Sequence, residues 1–230
     1  MLKQNLDVII SKNPFVRLGD AVYHVLYDEI IGLAVEPGSI LSETALAKEL
    51  DISRTPIRNA MLRLEEDGLL ERDHKQSFIV AQLKKTECQQ LMEIRISIET
   101  QAAYWAVERI TEKQLTQLKE FMNQFVCAFE AWNVIDMIKN DHAFHQTIIN
   151  GANNQFITDF YKQITPRIVH YRNFLFKQAP KDILEPIMCS SVRMHKAIYN
   201  AINLGFAVEA RERIERDIGG MSDMIGLWKE

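Results

Sequence analysis

The chain has 230 residues, 47% hydrophobic and 25% charged, with nine glycines and six prolines, which excludes wholesale disorder and collagen-like or proline-rich chains. No apolar run approaches the roughly 20 residues that span a bilayer, Asp7 precedes only a very short apolar stretch, unlike a secretory signal, and Cys88, Cys127 and Cys189 form no CxxC, so a cytoplasmic protein with free thiols and no membrane partner is expected. The net charge of −4 is uneven: residues 14–82 carry seven basic against twelve acidic side chains, which argues against nucleic acid in bulk but leaves open which face the few arginines occupy.

From Arg17 to Leu33, Val22, Val25, Leu26, Ile30 and Leu33 recur at helical spacing, and Glu36-Pro37-Gly38 ends that helix as a turn. Ser42 is the expected N-cap of a short helix running to about Leu50, with Leu46, Ala47 and Leu50 on one side. Past Asp51-Ile52, Ser53 or Thr55 caps a third helix, whose first turn accommodates Pro56 because its missing N–H costs little there. Ile57, Ala60, Met61 and Leu64 form its buried stripe and Gly68 stops it. Leu69–Arg72 and Phe78–Val80 read as two strands around Asp73-His74-Lys75-Gln76. Three short helices and a hairpin predict a winged helix-turn-helix domain over residues 14–82.

In such a unit the third helix enters a major groove about 12 Å wide. Arg54 and Arg58, four apart, share a face at its start, where a guanidinium can meet guanine O6 and N7. Ser53 and Thr55 suit phosphate contacts, as does Lys75 at the hairpin tip. The competing reading makes the two arginines surface charges paired with Asp51 or Glu65.

From Thr86 the pattern is helical throughout, with capping-box signatures Thr86-x-x-Gln89 and Thr111-x-x-Gln114. Helices are predicted near 86–108, 111–131, 134–150, 154–177, 183–203 and 207–227, so the chain is mainly α, with a bundle of about six helices over 86–228 and a boundary near Gln82–Lys85. Asp141 and His145 lie at i and i+4 on one helical face; His195 and Asp217 lie on later helices. A bundle can converge such groups, and two imidazoles with two carboxylates suit Zn, Ni, Mn or a similar divalent ion. Against this stand an exposed helical pair, a core histidine at His195 and a pairing of Asp217 with Arg213.

The run Pro37-Gly38-Ser39-Ile40-Leu41-Ser42-Glu43, then Leu46-Ala47, then Ile52 through Leu70 (Ser53-Arg54-Thr55-Pro56-Ile57-Arg58 at its start) resembles the GntR family of bacterial repressors. The resemblance implies operator contacts by Ser53, Arg54, Thr55 and Arg58. Thr44 stands where many members carry Arg or Gln, and Ser77 precedes Phe78 where a glycine is usual. The segment Asp141-His142-Ala143-Phe144-His145 through Ile149, with Asn154 and Met194-His195-Lys196-Ala197-Ile198, resembles the FCD ligand-binding domain of the FadR subfamily, which typically holds a metal with one Asp and three His. By position Asp141, His145 and His195 match, while Asp217 falls where the third histidine would stand. Arg95 matches an inward-facing arginine on the domain's first helix; a salt bridge to Glu99 is its alternative. Arg167, His170, Tyr171 and Arg172 are further candidates for lining the cavity.

These readings converge on a homodimeric, metabolite-responsive regulator that binds double-stranded, inverted-repeat operator DNA and responds to a small organic acid docked at a metal site. The alternatives are a regulator with a metal-free sensor domain and, further off, a metal-dependent enzyme; no general base with an evident partner stands out, so no catalytic residue is expected.

Overall fold

The computed structural model describes residues 2–228, which divide into two units between Leu83 and Lys84. In the first, α1 (Leu2–Lys12) and α2 (Leu18–Ile31) lead to β1 (Ile40–Leu41), α3 (Glu43–Leu50), α4 (Arg54–Glu66), β2 (Leu70–Arg72) and β3 (Phe78–Val80). α2 packs on α4, and α3 on α4. Val22, Leu26, Ile30, Leu50, Ile57, Met61, Leu64, Leu69 and Val80 are almost fully buried. Each large aliphatic side chain so buried contributes about 1.5–3 kcal/mol against exposure.

The Ser42 hydroxyl accepts from Ala45 N–H at the start of α3, and Asp51 closes that helix in the left-handed conformation (φ 57°). Ser53 holds the N-cap position of α4 but makes no side-chain capping bond, so its hydroxyl is not tied to the helix end. The sheet contains one strand more than the pattern predicted. β1 pairs antiparallel with β3, which pairs antiparallel with β2, giving the order β1-β3-β2 with Ile40 opposite Ile79 and Leu70 opposite Val80. Gly38 leads into β1 at φ +83°, where a Cβ would sit 2.2 Å from Gln82 Nε2; its N–H donates to Val80 O at 2.8 Å. α1, also absent from the expected elements, packs on α2 and α3.

The second unit is helical: α5 (Lys85–Arg109), α6 (Glu112–Glu130), α7 (Val134–Gly151), α8 (Gln155–Gln178), α9 (Lys181–Asn203) and α10 (Ala207–Ser222), then a short 3-10 helix (Asp223–Leu227). The six predicted helices are present, the last ending earlier than expected. Thr111 and Gln114 make the full capping box of α6; Asn133 and Asn154 cap α7 and α8. Thr86, predicted as a cap, lies inside α5. α5 packs against α7, α8, α9 and α10, α6 against α7 and α9, and α9 against α10. That arrangement sets the inward faces of α5, α7, α9 and α10 around one interior. No helix among the described residues is long and apolar enough to cross a membrane.

Candidate metal centre and nucleic-acid interface

Polar residues placed on those inward faces must find partners inside the bundle. Asp141 and His145 come from α7, His195 from α9 and Asp217 from α10, with 4%, 1%, 0% and 6% exposure. One ligand atom from each lies within 4.8 Å of all the others. His145 Nε2 is 3.1 Å from Asp217 Oδ2 and 3.8 Å from Asp141 Oδ1; His195 Nε2 is 3.4 Å from Asp141 Oδ1 and 3.5 Å from Asp217 Oδ2. Nitrogen and oxygen donors bind divalent zinc at about 2.0–2.2 Å, which sets neighbouring donors roughly 3–4 Å apart. Both nitrogens of His195 and Oδ1 of Asp217 are buried without a hydrogen-bond partner. Spacing, donor chemistry and unsatisfied atoms all fit a divalent ion. Arg213, the alternative partner of Asp217, pairs instead with Glu209 at 3.0 Å.

Three of the four ligand candidates are held from outside the cluster. Glu99 on α5 accepts from His145 Nδ1–H through Oε2 at 2.6 Å. Its Oε1 accepts from Arg95 Nε at 2.7 Å and from the Tyr161 hydroxyl at 2.9 Å. Arg95 thus forms the salt bridge named as its alternative, while remaining buried beside the cluster. Arg172, also buried, makes an ion pair with Asp141. The His195 ring stacks on Phe144 (4.2 Å between centroids, 18° between planes). Arg167, by contrast, pairs with Glu87 at 3.3 Å, and Tyr171 donates to that same Glu87.

The charges are strongly coupled. Burial alone would push Glu99 up, but Arg95 and His145 bring it down to about 2. Burial would push His145 down, yet Glu99 and Asp141 hold it up at about 9. Burial works against both aspartates as well; Arg172 and His145 keep Asp141 well below the usual carboxylate range, and His195 and His145 do the same for Asp217. Glu99, Asp141 and Asp217 are therefore held as carboxylates inside the bundle by the cations beside them, in keeping with the rule that buried charge must be paired. Sequence reasoning named the four cluster residues but missed Glu99 and Tyr161 as supports for His145. The i, i+4 spacing of Arg95 and Glu99 was visible, and their link to α7 was not.

In the first unit Thr44, Ser53, Arg54, Thr55, Arg58 and Lys75 are all exposed. Arg54 is paired, with Glu43 of α3 at 3.2 Å. Its other candidate partners are engaged elsewhere, Asp51 with Lys3 and Glu65 with Arg72. Arg58 carries no ion pair among the described residues. Arg72 also stacks over the Phe78 ring at 3.4 Å, which stiffens the hairpin. The Asp73 carboxylate accepts from the N–H groups of Lys75 and Ser77, fixing the turn that presents Lys75.

A helix-turn-helix with a hairpin wing, ahead of a helical domain, defines a DNA-binding transcription regulator. The gntR family of bacterial regulatory proteins matches residues 18–80, and the FCD domain family matches residues 90–220. The chain belongs to the GntR family, in its FCD-containing, FadR-like branch. It is 28% identical to the HTH-type transcriptional repressor RspR of Escherichia coli over 208 residues, 89% of this chain and 88% of that one. The HTH-type transcriptional regulator McbR of Escherichia coli is 28% identical over 67% of this chain and 70% of its own. In fold the chain is similar to solved structures of E. coli McbR/YncC (TM-score 0.78, 22% identity, 93% of this chain and 99% of that one) and of a GntR regulator from Rhodococcus sp. RHA1 (TM-score 0.76, 18% identity, 92% and 99%). Its domains and relatives are those of regulators, not enzymes.

Proposed function

We propose that this regulator is a cytoplasmic, homodimeric repressor that reads an inverted-repeat operator and changes its DNA affinity when a small carboxylate binds at a metal site in the second domain. Residues 14–82 are assigned to DNA, with Ser53, Arg54, Thr55, Arg58, Thr44 and Lys75 as contacts; residues 86–228 are assigned to effector binding and dimerisation. A two-fold dimer matches a two-fold operator, and an effector favouring one arrangement shifts the population towards it.

The observation that carries the reading is the buried Asp141, His145, His195 and Asp217 quartet, whose donor atoms lie within 4.8 Å of one another. These four would hold the ion, which when bound supplies Lewis acidity and open coordination positions for an oxygen ligand. Replacing the family's third histidine by Asp217 adds an oxygen donor and favours Zn, Ni or Mn with a bias to the harder end. Arg95 and Arg172 are buried cations already facing carboxylates, the chemistry an incoming organic acid would share.

A metal-free sensor is the second reading. It is favoured by the ion pair of Arg172 with Asp141, which partly compensates the cluster without an ion. Elemental mass spectrometry of tag-free protein separates the two. About one ion per chain, lost in Asp217→Ala, supports the metal site. Wild-type protein that stays empty after incubation with Mn, Zn or Ni leaves the metal-free sensor.

A further inference from the structure

The quartet is buried, so anything that reaches it needs a way in. Asp217 belongs both to the quartet and to the wall of a cleft of about 200 Å³ between α9 and α10, whose other walls include Pro186, Ser190, Ser191, Arg216 and Gly220. A single water needs only about 10–15 Å³ of such space, so the cleft has room for a small solute. Its inner side carries the hydroxyl of Ser191, 5% exposed, and its rim the exposed guanidinium of Arg216. Asp217 Oδ1 is buried and without a partner.

The backbone around the cleft departs from what makes a good helix. α10 carries Gly219-Gly220 close after Asp217, although glycine is the least favourable helix residue after proline. A Cβ built on either glycine meets nothing within 4 Å, so the space they leave is open rather than filled by a neighbour. On the facing wall Pro186 lies inside α9, where it removes one backbone donor. Open space on one side, a proline on the other and a ligand candidate at the inner end are what a passage requires.

We propose that the α9–α10 cleft is the entrance to the Asp141–His145–His195–Asp217 cluster, and that it admits a small carboxylate anion, drawn in by Arg216 and guided by the hydroxyls of Ser190 and Ser191. The inference rests on the cluster being a ligand site, as proposed above, and gives that site its access route and charge preference.

The test uses Ser191→Cys in the full chain and follows its modification by peptide mass spectrometry with two methanethiosulfonates of similar size, one bearing a sulfonate and one a trimethylammonium group. The introduced thiol is expected to react in the folded protein. Adding Gly220→Leu should slow the reaction by about tenfold or more, because a thiol without a passage reacts only through local opening. Ser190→Trp repeats the block from the other wall, and circular dichroism identifies any variant that has not folded. Arg216→Glu should slow the sulfonate reagent and speed the cationic one. Equal rates with and without the blocking residues, or a charge preference that ignores Arg216→Glu, would overturn the proposal. Zinc uptake by the same proteins distinguishes the two layers. If zinc binds while labelling ignores the blocks, the metal site stands and the entrance falls. If labelling follows the expected pattern while wild type takes up no zinc, the entrance stands and the metal site falls.

Discussion

Glu99 Oε2 and His145 Nδ1 lie 2.6 Å apart, and each side chain is about 1% exposed. The bond places the Nδ1 proton towards Glu99 and leaves Nε2 facing Asp217 and Asp141. A carboxylate behind an imidazole in this way fixes its tautomer and raises its strength as a donor. Glu99 is itself fixed by Arg95 and Tyr161, so the orientation of His145 is set three groups deep.

Glu99→Ala should therefore weaken divalent-metal binding by about 10–100-fold. Glu99→Gln should recover much of the loss, because its carbonyl can accept from Nδ1–H. Chelator competition measures both; an alanine variant with wild-type affinity would remove Glu99 from this positioning role.

Asp217→His restores the three-histidine, one-aspartate set that the family resemblance implies. The expected result is a shift in preference from Mn towards Zn, since imidazole is the softer donor. Competition between the two ions on the purified variant gives the answer. An unchanged preference would mean that residue 217 does not ligate.

Arg58→Ala should lose discrimination between the operator and a scrambled duplex by about 1–3 kcal/mol, the cost of one bidentate base contact. Lys75→Ala should weaken both duplexes alike and reduce the salt dependence by about one ion. Fluorescence anisotropy across a salt series separates the two effects, and intact specificity in the Arg58 variant would take that residue out of base reading.

His170 supplies a pH test away from the cluster. It is buried with Nε2 unpartnered, and burial lowers its pKa from 6.5 to about 4. Between those values the unfolded chain takes up a proton that the native state excludes. Stability is thus fully present above the unfolded value and falls as the pH drops through that window, by at most about 3 kcal/mol. His170→Leu should flatten this part of the profile. Urea midpoints near neutral pH and at about pH 5 would measure it, and an identical acid loss in the variant would count against the assignment.

α2 and α4 were legible from their apolar stripes, and the helices of the second unit from capping residues and the turns between them, with α5 buried on several sides and its Ile94 exposed. α1 was not, because Leu6 is its one buried side chain among the described residues and a single contact has no period. β1 has two residues, too few to alternate, and exists because β3 offers it an edge. In the site, Asp141, His145, His195 and Asp217 could be named from residue type, helical spacing and resemblance. Glu99 and Tyr161 could not, since their meeting with His145 depends on how α5, α7 and α8 cross. The pairing of Arg54 with Glu43 escaped for the same reason: the two are eleven residues apart on different helices.

β1, easily overlooked, joins the hairpin to the segment that leads into α3. Through β3 it ties the tip bearing Lys75 to the same framework that holds α4 and Arg58. Helix and wing are therefore tied into one framework, a stamp that would hold the edges proposed to read bases and grip phosphates at a set distance from each other. A signal arriving from elsewhere in the protein has little grip on the pattern of that stamp. What it can alter is where the stamp is set down, so under the proposed dimeric, effector-responsive reading control would be a matter of spacing between two readers whose alphabet stays the same.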